Sequence, residues 1–329
     1  MQLWPIYHDN IPQFIYDFAS TDAMLRLKSV GMNCGVEYTK FPDFTACEPY
    51  SRYDHSVGVA LIIWHFTQDK KQAIAGLLHD ISTPVFAHVV DFLNDDYINQ
   101  VSTESKTKEL ILESTQIMKL LGEHHLTLDD VCDYHQYPIA DNDSPQLSAD
   151  RLEYTLGNMV NFKFKTRQEA AEYYNDLTII PNETGISEIS FCSKELAFDF
   201  TQAALLNSRV YVSDEDRYAM QFLADILRIA LADNILSEND LYTTEPEVVN
   251  KIASYAQTAS LWEKFCVLSQ MHMSYKNPEK PFWVSVYAKK RYINPLVARL
   301  GRISKVSAEV NHKLVSFLNQ NFDYWILAT

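Results

Sequence analysis

Among the side chains able to do chemistry, the adjacent pair His79-Asp80 sits in the stretch AGLLHDISTPVFAH, residues 75–88. Ile74, Leu77, Leu78 and Ile81 recur at helical spacing, so the pair falls at the end of an apolar helix that Ser82-Thr83-Pro84 should stop. An imidazole and a carboxylate are costly to bury there without partners. Two readings meet that cost: a divalent cation bound by both, or a capped helix end in which each side chain bonds nearby backbone. His55 and Asp150, far off in sequence, would complete a mixed set of two imidazoles and two carboxylates. Such donors suit Mn, Fe, Co, Ni or Zn and leave coordination positions for water. A metal held this way lowers the pKa of bound water and polarises a phosphoryl oxygen, which is the chemistry of phosphoester or phosphoanhydride hydrolysis.

Each candidate needs an element to carry it. Ser51-Arg52-Tyr53-Asp54 leads into a strong helix whose His55, Val59, Ile62 and Phe66 share one stripe. A His on such a stripe is ordinarily a satisfied core residue, but Arg52 lies one turn earlier on nearly the same face and argues for a charged pocket. Residues 147–160 read as a two-faced helix, with Leu152, Leu156 and Met159 apolar and Asp150, Arg151, Tyr154 and Asn158 opposite. That polar face fits either solvent or the wall of a pocket. Phe14 to Leu27 carries one helical pattern, 88–93 begins another helix, and 106–121 reads as a single amphipathic helix with Leu110, Ile117 and Leu121 inward. Residues 135–145 are a polar loop. Residues 177–191 alternate like a β-hairpin turning on Pro-Asn-Glu-Thr-Gly. Helical patterns follow at 193–232, 245–256, 261–271 and 308–322, with one strand-like stretch, PFWVSVYAKKRYI, at 281–293.

Bulk properties bound the answer. A chain of 329 residues with 47% hydrophobic and 22% charged side chains has the balance of a globular protein. Only 8 glycines argue against Gly-rich nucleotide folds and for helices. The longest apolar run, 57–64, is far too short to span a bilayer, so no membrane partner is expected. The start MQLWPIYHDN lacks a signal-peptide pattern, which makes the cytoplasm the expected location. Five scattered cysteines without a CxxC pair read as reduced packing residues. A net charge of −15 disfavours long nucleic acid. A small anionic substrate is compatible with it where positive charge is local. From Lys280 to Lys305 there are seven basic and no acidic residues, a strip that fits a phosphate-bearing ligand, a solvated face or an acidic subunit partner.

The order H…HD…D, with the segments around it, resembles the HD-domain phosphohydrolases. RYDHSVGVA at 52–60 resembles that family's R-[FY]-E-H-S-x-G-V, and GLLHDISTPVFAH at 76–88 resembles L-x-H-D-[IL]-G-H-x-P-F-[ST]-H. SADRLEYTLGN at 148–158 resembles D-[RK]-x-D-Y-x-x-R-D. MLRLKSVGMNCG at 24–35 and SRVYVSDEDRYAMQFLADIL at 208–227 are similar to segments of the deoxynucleoside triphosphate triphosphohydrolase branch. The resemblance spans roughly residues 10–235. It implies an all-α HD-domain fold over 1–235 with an N-terminal extension, to which the element pattern adds the small hairpin and a small C-terminal α+β subdomain over 236–329. It also implies that His55, His79, Asp80 and Asp150 hold one divalent metal, with Mg accompanying the substrate as a further option.

Carried over by position, Arg52 and Arg151 contact substrate phosphate, Tyr154 and Asn158 face the sugar, and His88 with Asp80 serves catalysis. His88 would donate a proton to the leaving oxygen or partner the attacking water. The implied substrate is a small phosphorylated metabolite, a nucleotide or deoxynucleotide above all, and a homo-oligomer stays open. This chain departs from the family at three places. Ser82-Thr83 stands for Gly-His, Lys108-Glu109 for His-Glu, and Asn158 for Asp. The first two remove an imidazole each, and these losses define the alternative reading, a catalytically weak or inactive HD-domain sensor or scaffold that binds nucleotide. His124, His125 and His135 are the histidines able to replace what is missing, and each is of a kind that ordinarily sits on a loop or surface.

Overall fold

The Arg52–Thr67 helix is apolar nearly all round, and a helix of that kind has to be packed from every side. In the computed structural model, which describes residues 2–94 and 106–329, it is buried from Arg52 to Ile63 except at the half-buried Asp54. Ser51 starts it with a capping box: its Oγ accepts from Asp54 N at 3.1 Å, and Asp54 Oδ2 accepts from Ser51 N. Around it pack the helices Lys70–Leu78, Ala149–Asn161, Gln13–Ala19 and Trp4–Tyr7. Gly76 permits the approach of the Lys70–Leu78 helix, because a Cβ there would meet Ile63 Cδ1 at 2.2 Å. The Lys70–Leu78 helix is N-capped by Asp69 and runs out at His79, so the His-Asp pair lies on its C-terminal turn.

The described residues are mostly helical, with two small sheets. In the first, Leu177–Pro181 pairs antiparallel with Ser187–Phe191, Leu177 opposite Phe191, as the hairpin pattern predicts. Leu296–Val297 joins it in parallel and Gly301–Arg302 closes the edge. Arg302 fastens this edge to the hairpin through Glu183 and the buried Glu188. In the second sheet, Met271–Ser274 pairs antiparallel with Trp325–Ala328.

Several expectations fail for local reasons. Residues 106–121 are two helices, Thr107–Glu113 and Thr115–Glu123, because Ser114 is extended and its Oγ caps the second at Ile117 N. Phe14 to Leu27 is likewise broken, into Gln13–Ala19, Asp22–Leu25 and a 3₁₀ turn from Arg26, with Thr21 extended between the first two helices. Leu261 to Met271 is helical only as far as Cys266, and Met271 starts a strand. The stretch 281–293 forms no ladder beyond a single bridge, Val284 to Ile326.

That stretch is held in place by Arg217, which is fully buried in the Asp214–Ala232 helix. Its guanidinium donates to the carbonyls of Val212 and Val286, to Asp214 and to Tyr324 Oη, and lies 4.3 Å from the centre of the Phe322 ring. Two apolar cores result. One gathers the first helices, the Ala149–Asn161 helix and the hairpin. The other gathers Phe41, Phe44, Val85 to Phe92, the Asp214–Ala232 helix and the two helices that follow. Residues beyond 235 contribute to both cores. Among the described residues, no helix is long and apolar enough to cross a membrane.

Candidate metal centre and its cavity

Three helices bring four side chains to one point. His55 comes from the first turn of the Arg52–Thr67 helix, His79 and Asp80 from the end of Lys70–Leu78, and Asp150 from the first turn of Ala149–Asn161. His55, His79 and Asp80 are all buried, with one ligand atom of each within 4.8 Å of the others. Asp150 Oδ1 lies 3.0 Å from His55 Nε2 and 3.7 Å from His79 Nε2. Asp80 Oδ2 lies 3.6 Å from His79 Nε2 and 3.9 Å from His55 Nε2. The set expected from sequence is therefore assembled, with every imidazole presenting Nε2.

The outer atoms of both rings explain that presentation. His79 Nδ1 donates to the Gly76 carbonyl at 2.7 Å, and His55 Nδ1 donates to Glu153 Oε2 at 2.6 Å. With the Nδ1 hydrogens so placed, each Nε2 turns toward the centre, the arrangement that metal-binding histidines need. This chemistry fits a divalent transition metal. It does not fit the capped-helix reading as well, because only His79 bonds helix backbone.

Glu153 was missed in the sequence, where it reads as a charged residue on a helix face. It is buried and also accepts from Tyr50 Oη and, at 3.5 Å, from Tyr7 Oη. Gly58 makes the room, since a Cβ there would lie 2.6 Å from Glu153 Oε1.

Electrostatics agree with the geometry. Burial opposes charge on His55, but hydrogen bonds to Asp150 and Glu153 outweigh it and hold its pKa up at about 10. Carboxylates crowding one imidazole call for positive charge, the same demand a divalent cation meets. Burial likewise opposes the charge of Asp80, yet Arg52, His79 and His55 hold it well below the usual carboxylate range. Asp150, where His55 overcomes burial, is held at about 2.

Arg52 Nη1 donates to Asp80 Oδ2 at 3.1 Å, and Thr83 Oγ1 donates to Asp80 Oδ1 at 2.7 Å. Thr83, which stands where the family shows His, thus orients a carboxylate rather than supplying an imidazole. Ser82 bonds Thr107, and Lys108 pairs with Asp129 at the surface, away from the centre.

The centre opens into a cavity of about 460 Å³, whose lining includes Arg52, His55, His79, Asp80, His88, Asp150, Tyr154 and Asn158. The apolar helix face opposite, Leu152, Leu156 and Met159, is fully buried, so the two-faced reading holds with a pocket on the polar side. Arg151 is not part of the lining. Its guanidinium bonds the Gln146 and Asn142 carbonyls and pairs with Asp141 at 3.0 Å, tying down the loop before its own helix. In its place the cavity receives Lys289 and Arg291 from the basic strip. His135 lines the mouth and packs against Tyr134, whereas His124 packs on Phe14 and Phe18.

His88 Nδ1 lies 2.9 Å from the buried Asp91 Oδ2, and Arg291 Nη2 donates to His88 Nε2 at 3.3 Å. The imidazole is therefore neutral with its Nε2 lone pair toward the cavity. Burial lowers its pKa to about 4, with Arg291 and Arg52 acting the same way and Asp91 against them.

No family model matches the chain. It is 27% identical over 257 residues to the uncharacterized protein YdhJ of Bacillus subtilis, covering 75% of this chain and 74% of that one. It is also 27% identical over 165 residues to the metal-dependent phosphohydrolase cns2 of Cordyceps militaris, covering half of this chain and 46% of that protein. Among solved structures, a phosphohydrolase from Bacteroides thetaiotaomicron superposes with a TM-score of 0.66 over 97% of this chain and 96% of its own, at 15% identity. A hypothetical protein from Aquifex aeolicus superposes with a TM-score of 0.63 over 97% and 93% of the two chains, also at 15% identity. At that identity the two structures establish the shared fold. With the His-His-Asp cluster beside them, these likenesses support the chain's resemblance to the HD-type metal-dependent phosphohydrolase superfamily.

Proposed function

We propose that this chain is a metal-dependent phosphohydrolase whose substrate is a small phosphorylated metabolite of the nucleotide or deoxynucleotide class. One observation carries the reading. Two imidazoles with their Nδ1 atoms tied down aim both Nε2 atoms, together with Asp80 and Asp150, at one point on a cavity wall that Arg52 shares.

His55, His79, Asp80 and Asp150 would hold the metal, drawn from Mn, Fe, Co, Ni or Zn. When bound, such an ion acidifies water and draws charge from a phosphoryl oxygen. The remaining work falls to the protein. Arg52 Nε is buried and has no acceptor among the described residues, so a phosphoryl oxygen in the cavity would satisfy it. Its charge, with that of Arg291, offsets what builds up on the transferring group. His88 Nε2, unprotonated above about pH 4, takes the proton of the attacking water once Arg291 turns to the substrate anion, and passes it to the leaving oxygen. Tyr154 and Asn158 lie on the wall that would receive the organic part.

The test is a panel of nucleotides and simple phosphate esters assayed with each metal restored, the phosphorus product being identified. Orthophosphate release marks a nucleotidase, and tripolyphosphate release marks the triphosphohydrolase branch. Asp80→Ala should lower turnover by more than about a hundredfold, since it removes a ligand. Equal turnover in wild type and Asp80→Ala overturns the proposal.

A further inference from the structure

Among the described residues, four helical starts close a capping box, in which the acidic residue three positions after a Ser or Thr reaches back to that residue's N–H. They are Ser51/Asp54, Thr127/Asp130, Thr166/Glu169 and Ser237/Asp240. Ser213 and Asp216 carry the same spacing at the start of the Asp214–Ala232 helix, and Ser213 Oγ accepts from Asp216 N at 3.2 Å. The return bond is not made. Ser213 N donates instead to the Val210 carbonyl at 3.0 Å, which leaves the Asp216 carboxyl without its customary local use.

The side chain turns into the cavity instead. Asp216 is only 9% exposed, lines the cavity that contains the metal centre, and has no hydrogen-bond or ion-pair partner for its carboxyl among the described residues. The neighbouring Arg217 is committed to four other partners, and Arg291 points to His88. Burial pushes the Asp216 carboxyl far up from the usual carboxylate range, against the pull of Arg217 and Arg291. A second acceptor lines the same cavity. Asn158 Nδ2 donates to Tyr211 Oη at 2.8 Å, and its Oδ1 is buried with no partner. A buried acceptor left unmade costs on the order of 1–3 kcal/mol. Asn158 Oδ1 bears that cost, and with the Asp216 carboxyl facing the same cavity the wall asks for a ligand that brings donors.

We infer that Asp216 is a specificity-determining residue that reads the organic part of the substrate, accepting hydrogen bonds from its hydroxyl or amino groups while Arg52 holds the phosphate. This rests on the phosphohydrolase reading and narrows it to phosphate esters of donor-bearing alcohols, such as nucleosides and sugars. Organic groups that present no donor leave the Asp216 acceptor oxygen unmatched at this wall. Reading by an otherwise unpaired polar group gives strong discrimination, since an analogue without the donor leaves that group buried and unmatched.

The experiment compares wild type, Asp216→Ala and Asp216→Asn with metal restored. The substrates are adenosine 5′-monophosphate, ribose 5-phosphate and p-nitrophenyl phosphate, whose leaving group brings no donor when esterified. Binding of adenosine and of ribose is measured in parallel by calorimetry, which needs no turnover. In Asp216→Ala the KM for the best donor-bearing ester should rise about tenfold or more at little-changed kcat, with p-nitrophenyl phosphate unaffected. Asp216→Asn, which keeps an acceptor oxygen and nearly the same shape, should recover part of the loss and controls for folding. Equal effects on all three esters, or none on any, overturn the inference. If wild type hydrolyses no ester, the phosphohydrolase reading fails by itself and binding decides about Asp216. Weaker binding of adenosine or ribose in Asp216→Ala then supports the inference, whereas unchanged affinity, or no binding of either by wild type, overturns it.

Discussion

At the scale of single residues, the centre depends on groups that would not touch a metal. Glu153 holds His55 by its Nδ1 and is itself held by Tyr50 and Tyr7, so the ring has one orientation. Glu153→Gln keeps the shape but weakens the acceptor and allows the amide to offer a donor instead. Metal affinity should fall by roughly ten- to a hundredfold, as for other partners of ligating histidines, and titration of the metal-stripped protein with Mn or Zn measures it. An unchanged affinity would mean that Glu153 is only a packing residue. His88 shows the complementary case. Its bond from Arg291 marks Nε2 as a proton acceptor, which matches the water-partner role rather than that of an acid already loaded with a proton.

The helices set the distances. Gly58, one turn after His55, faces Glu153 so closely that a Cβ would meet its Oε1, Cγ and Cδ at 2.6 to 2.8 Å. Gly58→Ala should therefore push Glu153 off His55. We expect a loss of about 1–3 kcal/mol in stability, the usual cost of overpacking, together with weakened metal binding. Chemical denaturation and metal titration of the same protein read both, and full stability with native metal affinity would contradict the packing described.

What was legible at this scale follows from periodicity. The Arg52–Thr67 and Ala149–Asn161 helices and the hairpin showed in the pattern of apolar residues, whereas the grouping of His55, His79, Asp80 and Asp150 came from their donor chemistry and from the resemblance of the H…HD…D order to the HD-domain phosphohydrolases. Interruptions were less visible. Ser114 offers its side chain to the next helix, a competition between cap and continuation that periodicity does not register. Arg291 was seen only as one member of a basic strip, because its place in the cavity depends on Arg217 gripping Val286 from another part of the chain. Arg151 looked like a pocket residue from its helical face, but its side chain reaches back to the preceding loop.

Across the whole molecule, the cavity draws its lining from both apolar cores, with Tyr134 from one and Phe44 and Met220 from the other. Stability is coupled to pH by Glu37 and Glu245, whose carboxyl groups both approach Gly31, with Glu37 Oε2 buried and unpartnered among the described residues. Burial first, and Glu245 second, push Glu37 up to about 8 from an ordinary 4.5. The folded chain then keeps a proton that the unfolded chain has already released. Stability from this source is full below about pH 4.5 and is lost progressively as pH rises toward 8. Glu37→Gln removes that slope. Its Tm should match wild type near pH 4.5 and exceed it by a few degrees near pH 8, as thermal unfolding across that range would show. A constant difference at all pH values would contradict the assignment.

The central claim is that four side chains from three helices form one metal site. Its most direct measurement is the divalent metal content per chain of wild type, His79→Ala and Asp150→Ala, after saturation with Mn, Fe, Co, Ni or Zn and removal of loosely bound ion. The account predicts about one tightly held ion per wild-type chain for at least one of these metals, and a clear loss in both variants at preserved fold. The same metal content in all three proteins, or none in wild type with any of the five metals, would contradict it.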